Sequence, residues 1–265
     1  MTVEVVNGRF GYSKSSAVFE DINFKVGRGE ILSILGPNGC GKTTLLKCLL
    51  GLLNLTGGEI RIGGREPGEA KRDNGGSHIG YVPQNHHTAF PYSVVEMVLM
   101  GRARFIGTFS APSERDVKIA KDCLEMLKIG HYGERDFPEL SGGEKQLVLI
   151  ARALASNADV LLFDEPTSAL DYKNQYAILQ ALHSLTRERS LTIIMTTHHP
   201  EHALYISDKM LLMGEGRSIF GEVSEAFTEE NLKQVYGMEM KVVSIPHGED
   251  QLKSVVPIID LCKEK

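Results

Sequence analysis

The sequence predicts an α/β fold organised around a mainly parallel sheet. Two uninterrupted apolar runs of strand length, at residues 160–163 and 192–195, are separated by a helix-like segment at 171–189. Strands that are apolar throughout and alternate with helices are typical of a parallel sheet covered on both faces. A glycine-rich turn at 36–41 leads from a further strand into an apolar helix, which repeats the same order.

The N-terminal elements follow from short β-rich runs bounded by glycine or charged residues. The helix after the glycine-rich turn is expected over 42–53. Strands are predicted in this region at 3–6, 18–26, 31–35, 59–62 and 79–82.

The middle of the chain is predicted to be mostly helical. Apolar positions recur with helical spacing over 94–100, 113–129 and 144–155. Ser113 with Asp116 predicts an N-terminal cap, and a left-handed stop is expected at Gly130. The organisation expected is an α/β domain at 1–221 with a helical insertion at about 84–157, then a C-terminal extension at 222–265.

Composition excludes several classes of protein. Of 265 residues, 42% are hydrophobic and 24% charged, which excludes collagen-like and disordered chains. The net charge of −5 gives no bulk positive field, so no nucleic-acid partner is expected. The longest apolar tract, 45–55, is well short of the about 20 residues that span a bilayer. The first ten residues contain no apolar signal segment, so a cytosolic chain is expected.

A phosphate-binding motif lies where such a motif must lie, between a strand and a helix. Its glycines let backbone N–H groups surround phosphate oxygens, and the helix N-terminus adds positive potential. Lys42 would hold the β- and γ-phosphates of a nucleotide, and Thr43 would bind Mg²⁺. The nucleotide-binding residues predicted here are Gly36, Pro37, Asn38, Gly39, Cys40, Gly41, Lys42, Thr43 and Thr44.

Two acids follow the apolar strand at 160–163. Asp164 would supply the carboxylate on the Mg²⁺ side, and Glu165 would accept a proton from the attacking water. A second anion-binding turn precedes the helix at 144–155, and its residues are Leu140, Ser141, Gly142, Gly143 and Glu144. Because one chain cannot easily bring two such turns to one phosphate, a head-to-tail pair of subunits is the economical arrangement.

Together these motifs resemble the ATPase subunit of an ATP-binding-cassette (ABC) transporter. The resemblance covers residues 3–221 and implies a phosphate-loop NTPase core with an antiparallel β subdomain and an inserted helical subdomain. It implies that Tyr12 stacks on adenine, that Gln84 contacts Mg²⁺ and the water, and that Asp171 communicates across the dimer. It also implies that His198 contacts the γ-phosphate, and that residues 140–144 act on the nucleotide of the other subunit.

Two positions near these motifs suggest other chemistry. Cys40 lies at a helix N-terminus, where the pKa of a thiol can be lowered, and alkylating it is expected to block ATP binding. Residues 198–202 contain three histidines and invite a metal-site hypothesis, although Pro200 prevents one continuous helix from presenting them. His199 replaces the aspartate that is usual after the switch histidine.

The segments 93–102 and 221–237 are similar to those of the metal-chelate uptake group of importers. That similarity implies ATP and Mg²⁺ as cofactors, a second copy of the chain, a membrane permease dimer and, indirectly, a substrate-binding protein. It implies a location at the cytoplasmic face of the membrane. The alternative is a soluble ATPase of iron–sulfur-cluster assembly. Residues 94–100 are either a permease-docking surface or packed core, and the sequence leaves both open.

Overall fold

The protein is described from a computed structural model, which covers residues 2–13, 16–67, 79–84, 90–107, 109–247 and 250–258. Its strands are β1 (Val3–Phe10), β2 (Phe19–Val26), β3 (Ile31–Leu35), β4 (Gly57–Ile62), β5 (Ile79–Val82), β6 (Val160–Asp164), β7 (Thr192–Thr197), β8 (Lys209–Gly214), β9 (Arg217–Glu222), β10 (Met240–His247) and β11 (Asp250–Pro257). Its helices are α1 (Lys42–Leu49), α2 (Val94–Leu99), α3 (Glu114–Met126), α4 (Gly142–Ala155), α5 (Tyr172–Arg189), α6 (Pro200–Ile206), α7 (Val223–Ala226) and α8 (Glu229–Tyr236).

The main sheet has the strand order β5-β6-β7-β3-β8-β9. Its strands are parallel except for β9, which pairs antiparallel with β8, so the predicted mainly parallel sheet is confirmed. The register sets Asp164 of β6 opposite Thr196 of β7, and Leu35 of β3 opposite Thr197. The carboxyl ends of these three strands therefore meet at one edge, where ligands bind in open α/β sheets.

Alternate residues of the central strands enter different hydrophobic cores. In β6, Leu161 and Phe163 pack into a core with the helices of the insertion. Val160 and Leu162 pack on the opposite face, with α1 and the antiparallel sheet β2-β1-β4. Successive side chains of a strand point to opposite faces, which explains why these strands must be apolar throughout.

The predicted helices of the middle region are present; α2 and α3 are shorter than predicted, and α4 begins two residues earlier. Ser113 and Asp116 form the expected capping box on α3, with Asp116 N donating to Ser113 Oγ at 3.3 Å. The stop predicted at Gly130 is wrong, because α3 ends at Met126 and Lys128 takes the left-handed conformation with φ of 60°. Gly130 instead begins a short 3-10 turn, beside the exposed carboxylate of Glu125.

Helix α1 likewise ends at Leu49, before the predicted end at 53. Strands β8 to β11 and helices α7 and α8 were not among the predicted elements. Helices α7 and α8 and the inner side of the β10–β11 hairpin form a third core over β8 and α6. Among the described residues, no helix has the length and apolar character needed to cross a membrane.

Candidate active site

The phosphate-binding turn joins β3 to α1 and leaves the helix N-terminus open. Gly41 is the N-cap of α1, and neither a side-chain hydrogen bond nor an acidic residue occupies the first turn. Lys42 is buried, and its Nζ donates to the carbonyl oxygens of Gly36 at 2.8 Å and Pro37 at 3.1 Å. The turn therefore holds a positive charge beside the backbone N–H groups of a helix N-terminus, the arrangement that binds phosphate.

Glycine is required at Gly41 for two reasons. Its φ of 101° is a conformation that side chains rarely adopt. A Cβ there would also lie 2.9 Å from Val18 Cγ1, so strand β2 closes on this turn. The tight approach positions the turn against the antiparallel sheet.

The two acids at the end of β6 are fixed by one hydroxyl from β7. Thr196 Oγ1 donates to Asp164 Oδ1 at 2.7 Å and accepts from the backbone N–H of Glu165 at 2.9 Å. Asp164 is buried, and its Oδ1 also accepts from Thr43 Oγ1 at 3.1 Å. The phosphate-binding turn and the acidic strand end are thereby joined directly.

Glu165 is turned toward the phosphate-binding turn by an unusual backbone. Its φ of 48° is rare for a residue with a side chain and costs free energy, which is common at functional sites. The Oε2 atom accepts from Gln84 Nε2 at 2.9 Å and lies 3.2 Å from His198 Nδ1. The Glu165 side chain is 14% exposed, while that of His198 is 39% exposed. This carboxylate is therefore held from two sides and still reaches solvent.

An open cavity of about 780 Å³ lies over these groups. Tyr12 is at its mouth, 69% exposed, with its hydroxyl 3.4 Å from Thr44 Oγ1 and its ring edge-on to Phe10 at 5.0 Å. The lining residues are Tyr12, Val18, Asn38, Gly39, Gly41, Lys42, Thr43, Thr44, Gln84, Glu165, Ser168, Ala169 and His198. The cavity has the size of a small-molecule site and contains both charged and ring-bearing groups.

The second anion-binding turn, residues 140–144, contributes no lining residue to this cavity. Ser141 caps α4 and forms a capping box with Glu144, whose Oε2 accepts from Ser141 N at 2.8 Å and Ser141 Oγ at 2.7 Å. Hydrogen bonds from the Tyr132 hydroxyl, and then from Ser141, lower the pKa of Glu144 to about 2. Leu140 is buried and anchors the turn.

Asp171 lies beside the second turn within the same chain. It caps α5 by accepting from Asn174 N at 2.8 Å. The Asn174 side chain in turn packs against Gly143, where a Cβ would approach it to 2.8 Å. Gly142 is close to Leu170, so the loop before α5 and the turn before α4 form one surface.

One sequence-based expectation is corrected at this site. Burial raises the pKa of the Cys40 thiol and outweighs the opposing effect of Lys42, so the expected lowering is wrong. The rings of His198, His199 and His202 lie next to one another, with centroids 4.1 and 4.6 Å apart and planes tilted by 40° and 44°. In the described part of the chain, no group of three or more His, Cys, Asp or Glu side chains is placed to hold a metal.

The structure thus brings half of the predicted residues to the lining of one cavity, while residues 140–144 and Asp171 lie outside it. Gly36, Pro37, Cys40 and Asp164 belong to the elements beside the cavity but do not line it. Sequence reasoning missed Thr196, which fixes both acids, and Ser168, whose Oγ is 3.4 Å from Gln84 Nε2. The polar pair Thr196-Thr197 at the end of an apolar strand was the available signal.

Comparisons with known proteins identify the family of this chain. A family model described as ABC transporter matches residues 19–168. The molybdate import ATP-binding protein MolC of Haemophilus influenzae is 38% identical, over 97% of this chain and 96% of its own length. The iron(3+)-hydroxamate import ATP-binding protein FhuC of Bacillus subtilis is 33% identical, over 94% and 91%. A solved structure described as an inward-facing, metal-chelate type ABC transporter superposes with a TM-score of 0.88 at 37% identity, covering 97% and 98%.

The chain therefore belongs to the ABC transporter family. It is an ATP-binding subunit of the metal-chelate importer group, an ATPase whose activity is coupled to transport. The relatives named here carry transport functions, and they give no support to the iron–sulfur-assembly alternative.

Proposed function

We propose that this ATPase powers the import of a metal chelate or a related oxyanion through a membrane permease dimer. The observation that carries the chemistry is Glu165, held by Gln84 and His198 beside the phosphate-binding turn. The cargo class is supported by the names of the relatives, which include importers of molybdate and of iron(3+)-hydroxamate. A substrate-binding protein would deliver that cargo to the permease.

Nucleotide binding is proposed to use the open end of α1. The backbone N–H groups from Gly39 to Thr43 would surround the phosphates, and Lys42 would exchange its two carbonyl partners for phosphate oxygens. The exposed ring of Tyr12 would stack on adenine at the mouth of the cavity.

Hydrolysis is proposed to use Glu165 as the general base. Its carboxylate would take a proton from the water that attacks the γ-phosphate, while Gln84 and His198 keep that carboxylate oriented. The Thr196 hydroxyl keeps Asp164 and Glu165 pointing in different directions, so the two acids serve different roles.

A magnesium ion fits the oxygen atoms of Thr43 and Asp164. These two atoms are 3.1 Å apart, and two adjacent ligands of an octahedral Mg²⁺ are separated by about 3.0 Å. Gln84 could add a third oxygen from across the cavity. The ion would neutralise phosphate charge when bound.

A second copy of the chain is proposed to complete the site. Residues 140–144 do not line the cavity of their own chain, and Gly142 and Gly143 place N–H groups at the start of α4. In a head-to-tail pair these groups would contact the γ-phosphate held by the other copy. Asp171 lies on the same surface and would meet the other copy beside its active site.

The permease is proposed to bind at the helical insertion, from the cytoplasmic face of the membrane. Val94, Val95, Met97 and Val98 are buried, so most of 94–100 is packed core. The exposed apolar side chains nearby are Phe90, Met100 and Phe105, and these would contact the permease. We also propose the division into a cassette at 1–221, with the insertion at about 84–157, and an extension at 222–265, because the main sheet ends at Glu222.

The test combines partner capture with one substitution. Tagged chain recovered from detergent-solubilised membranes should bring a stoichiometric polytopic partner that raises its ATPase rate. Glu165→Gln should slow hydrolysis by about 10²–10⁴-fold without weakening ATP binding. Glu215→Gln, in the exposed turn between β8 and β9, is the matched control and should leave the rate unchanged. Unchanged turnover in Glu165→Gln would remove Glu165 from its role, and recovery without a membrane partner would overturn the importer.

A further inference from the structure

The C-terminal hairpin β10–β11 carries an exposed apolar surface. In its register Ile245 pairs with Leu252, Val243 with Ser254, and Lys241 with Val256. Directly paired residues share a face, and alternate residues of one strand do as well. We define the outer face of the hairpin by five apolar residues that are 37–51% exposed: Val243, Ile245, Leu252, Val256 and Ile258.

The opposite side of the hairpin fastens it to the cassette. Met240 and Val255 are buried in a core with Ala203 of α6 and Val235 of α8. Glu229 of α8 accepts from Lys241 Nζ at 2.7 Å and from Val242 N at 3.1 Å. A two-stranded hairpin is marginally stable by itself in water, so this anchoring fixes the direction in which the outer face points.

The charge of the outer face limits what can cover it. Within 239–245 and 252–258, the charged residues on this side are Lys241, which is paired with Glu229, and Glu239, which lies opposite Ile258 at one end of the face. A membrane surface would call for unpaired basic residues, which this described part of the hairpin does not present on its outer face. A mainly apolar face with one acid at its end can meet its own copy across a twofold axis with little repulsion.

The position of the hairpin also separates it from the proposed permease site. Helix α4 of the insertion packs on β5, whereas α7 and α8 pack on β8, toward the other edge of the main sheet. The hairpin instead rests on α6, which begins two residues after His198. Exposed Tyr205 of α6 contacts Tyr176, and Tyr176 contacts exposed Tyr172, the residue after Asp171. Aromatic side chains thus extend from the proposed dimer contact to α6, the helix on which the hairpin rests.

We propose that the outer face contacts the outer face of a second copy across the twofold axis of the nucleotide-bridged pair. This rests on the proposed function, which supplies that pair. Each face offers roughly 400 Å² of apolar surface. Two faces together fall below the about 1,200 Å² of a stable interface. The contact therefore adds to the affinity of the nucleotide-bridged dimer, without forming a dimer alone.

The test measures dimer formation by the full chain with Glu165→Gln, in Mg²⁺ and ATP, by sedimentation. Adding Ile245→Lys and Leu252→Lys should raise the dimer dissociation constant at least about tenfold while ATP affinity stays unchanged. Leu52→Lys is the matched control, since Leu52 is 62% exposed and lies just after α1; it should have no effect. An equal dissociation constant in the hairpin variant would overturn the contact.

A second measurement does not depend on adding charge to the hairpin. In a chain whose native cysteines are changed to serine, Ile245→Cys should give an oxidised dimer with ATP, and Leu52→Cys should not. If the Ile245→Cys chain sediments as a dimer but does not cross-link, the contact is overturned. It is also overturned if the double lysine variant still dimerises but no longer captures the permease. If none of the Glu165→Gln chains dimerises with Mg²⁺ and ATP, the proposed function itself is overturned, together with this contact.

Discussion

Two turns of this chain precede helices, and one leaves its helix N-terminus uncapped while the other caps it. At α1 the N-cap is Gly41, and no side chain and no acid occupies the first turn. At α4 the N-cap is Ser141, whose hydroxyl accepts from Glu144 N, while the Glu144 carboxylate accepts from Ser141 N. The N-terminus of α1 is therefore open to an anion, whereas the N-terminus of α4 is already bonded to the carboxylate of Glu144.

This difference indicates that the first turn binds the nucleotide and that the second turn acts when two copies assemble. An open terminus with Lys42 beside it can bind phosphate in a single chain. The capped terminus keeps its shape without ligand, and it presents Gly142 and Gly143 outside the cavity of its own chain. We therefore expect changes at the first turn to weaken ATP binding, and changes at the second to leave binding intact and slow turnover.

The largest effect is expected from Lys42→Ala. Loss of charge-assisted hydrogen bonds to phosphate should weaken ATP binding by roughly 10- to 100-fold. Turnover should fall by about 10³-fold or more, because the transition state carries more charge at these oxygens. Lys47→Ala, at an exposed position of the same helix, is the control and should bind ATP normally in a fluorescent-nucleotide titration. Normal binding by Lys42→Ala would contradict the assignment of the first turn.

A separate effect is expected from Ser141→Arg. The bulky side chain should keep the second turn away from the other copy's nucleotide, so turnover should fall by about 10²-fold. ATP binding by the single chain should stay within about threefold of the original, because the turn does not line that cavity. Paired binding and steady-state assays check this. Equal losses in both would place the second turn at the nucleotide of its own chain.

The smallest effect concerns stability. Ser141→Ala removes the cap of α4 and should lower the free energy of unfolding by about 1 kcal/mol in urea titrations at pH 7. The pKa of Glu144 is lowered to about 2, mainly by Tyr132, from an ordinary value of 4.5. A lowered carboxyl pKa stabilises the fold above pH 4.5, and that stabilisation is lost as pH falls toward 2. The stability deficit of Glu144→Gln should therefore shrink over this range, and a constant deficit would contradict the capping role.

Local patterns were enough to place two acids after a strand and a lysine at the start of a helix. Asp164 and Glu165 follow an apolar strand, and Lys42 opens a helix, so their positions could be read without a tertiary structure. The role of Thr196 could not be predicted from the sequence, because it depends on β6 and β7 pairing in one particular register. The raised pKa of Cys40 likewise comes from burial by distant segments.

The C-terminal hairpin shows another limit of sequence patterns. Strand β10 has apolar residues on both faces, Val242 toward the core and Val243 and Ile245 on the outer face, so it lacks the alternation that predicts a half-buried strand. Pro246 and Pro257 also argue against a strand by composition. The predicted end of α3 is also wrong, since the left-handed residue is Lys128 and Gly130 begins a short 3-10 turn.

The central claim, that the second turn acts on the nucleotide of another copy, is tested most directly by cross-linking. Asn38→Cys and Ser141→Cys, both at exposed positions, would be combined in a Glu165→Gln chain whose native cysteines are changed to serine. After a short bis-maleimide is added, the account predicts a product of twice the chain mass that forms with Mg²⁺ and ATP and is absent without them. A product of single-chain mass that links the two positions internally would contradict it.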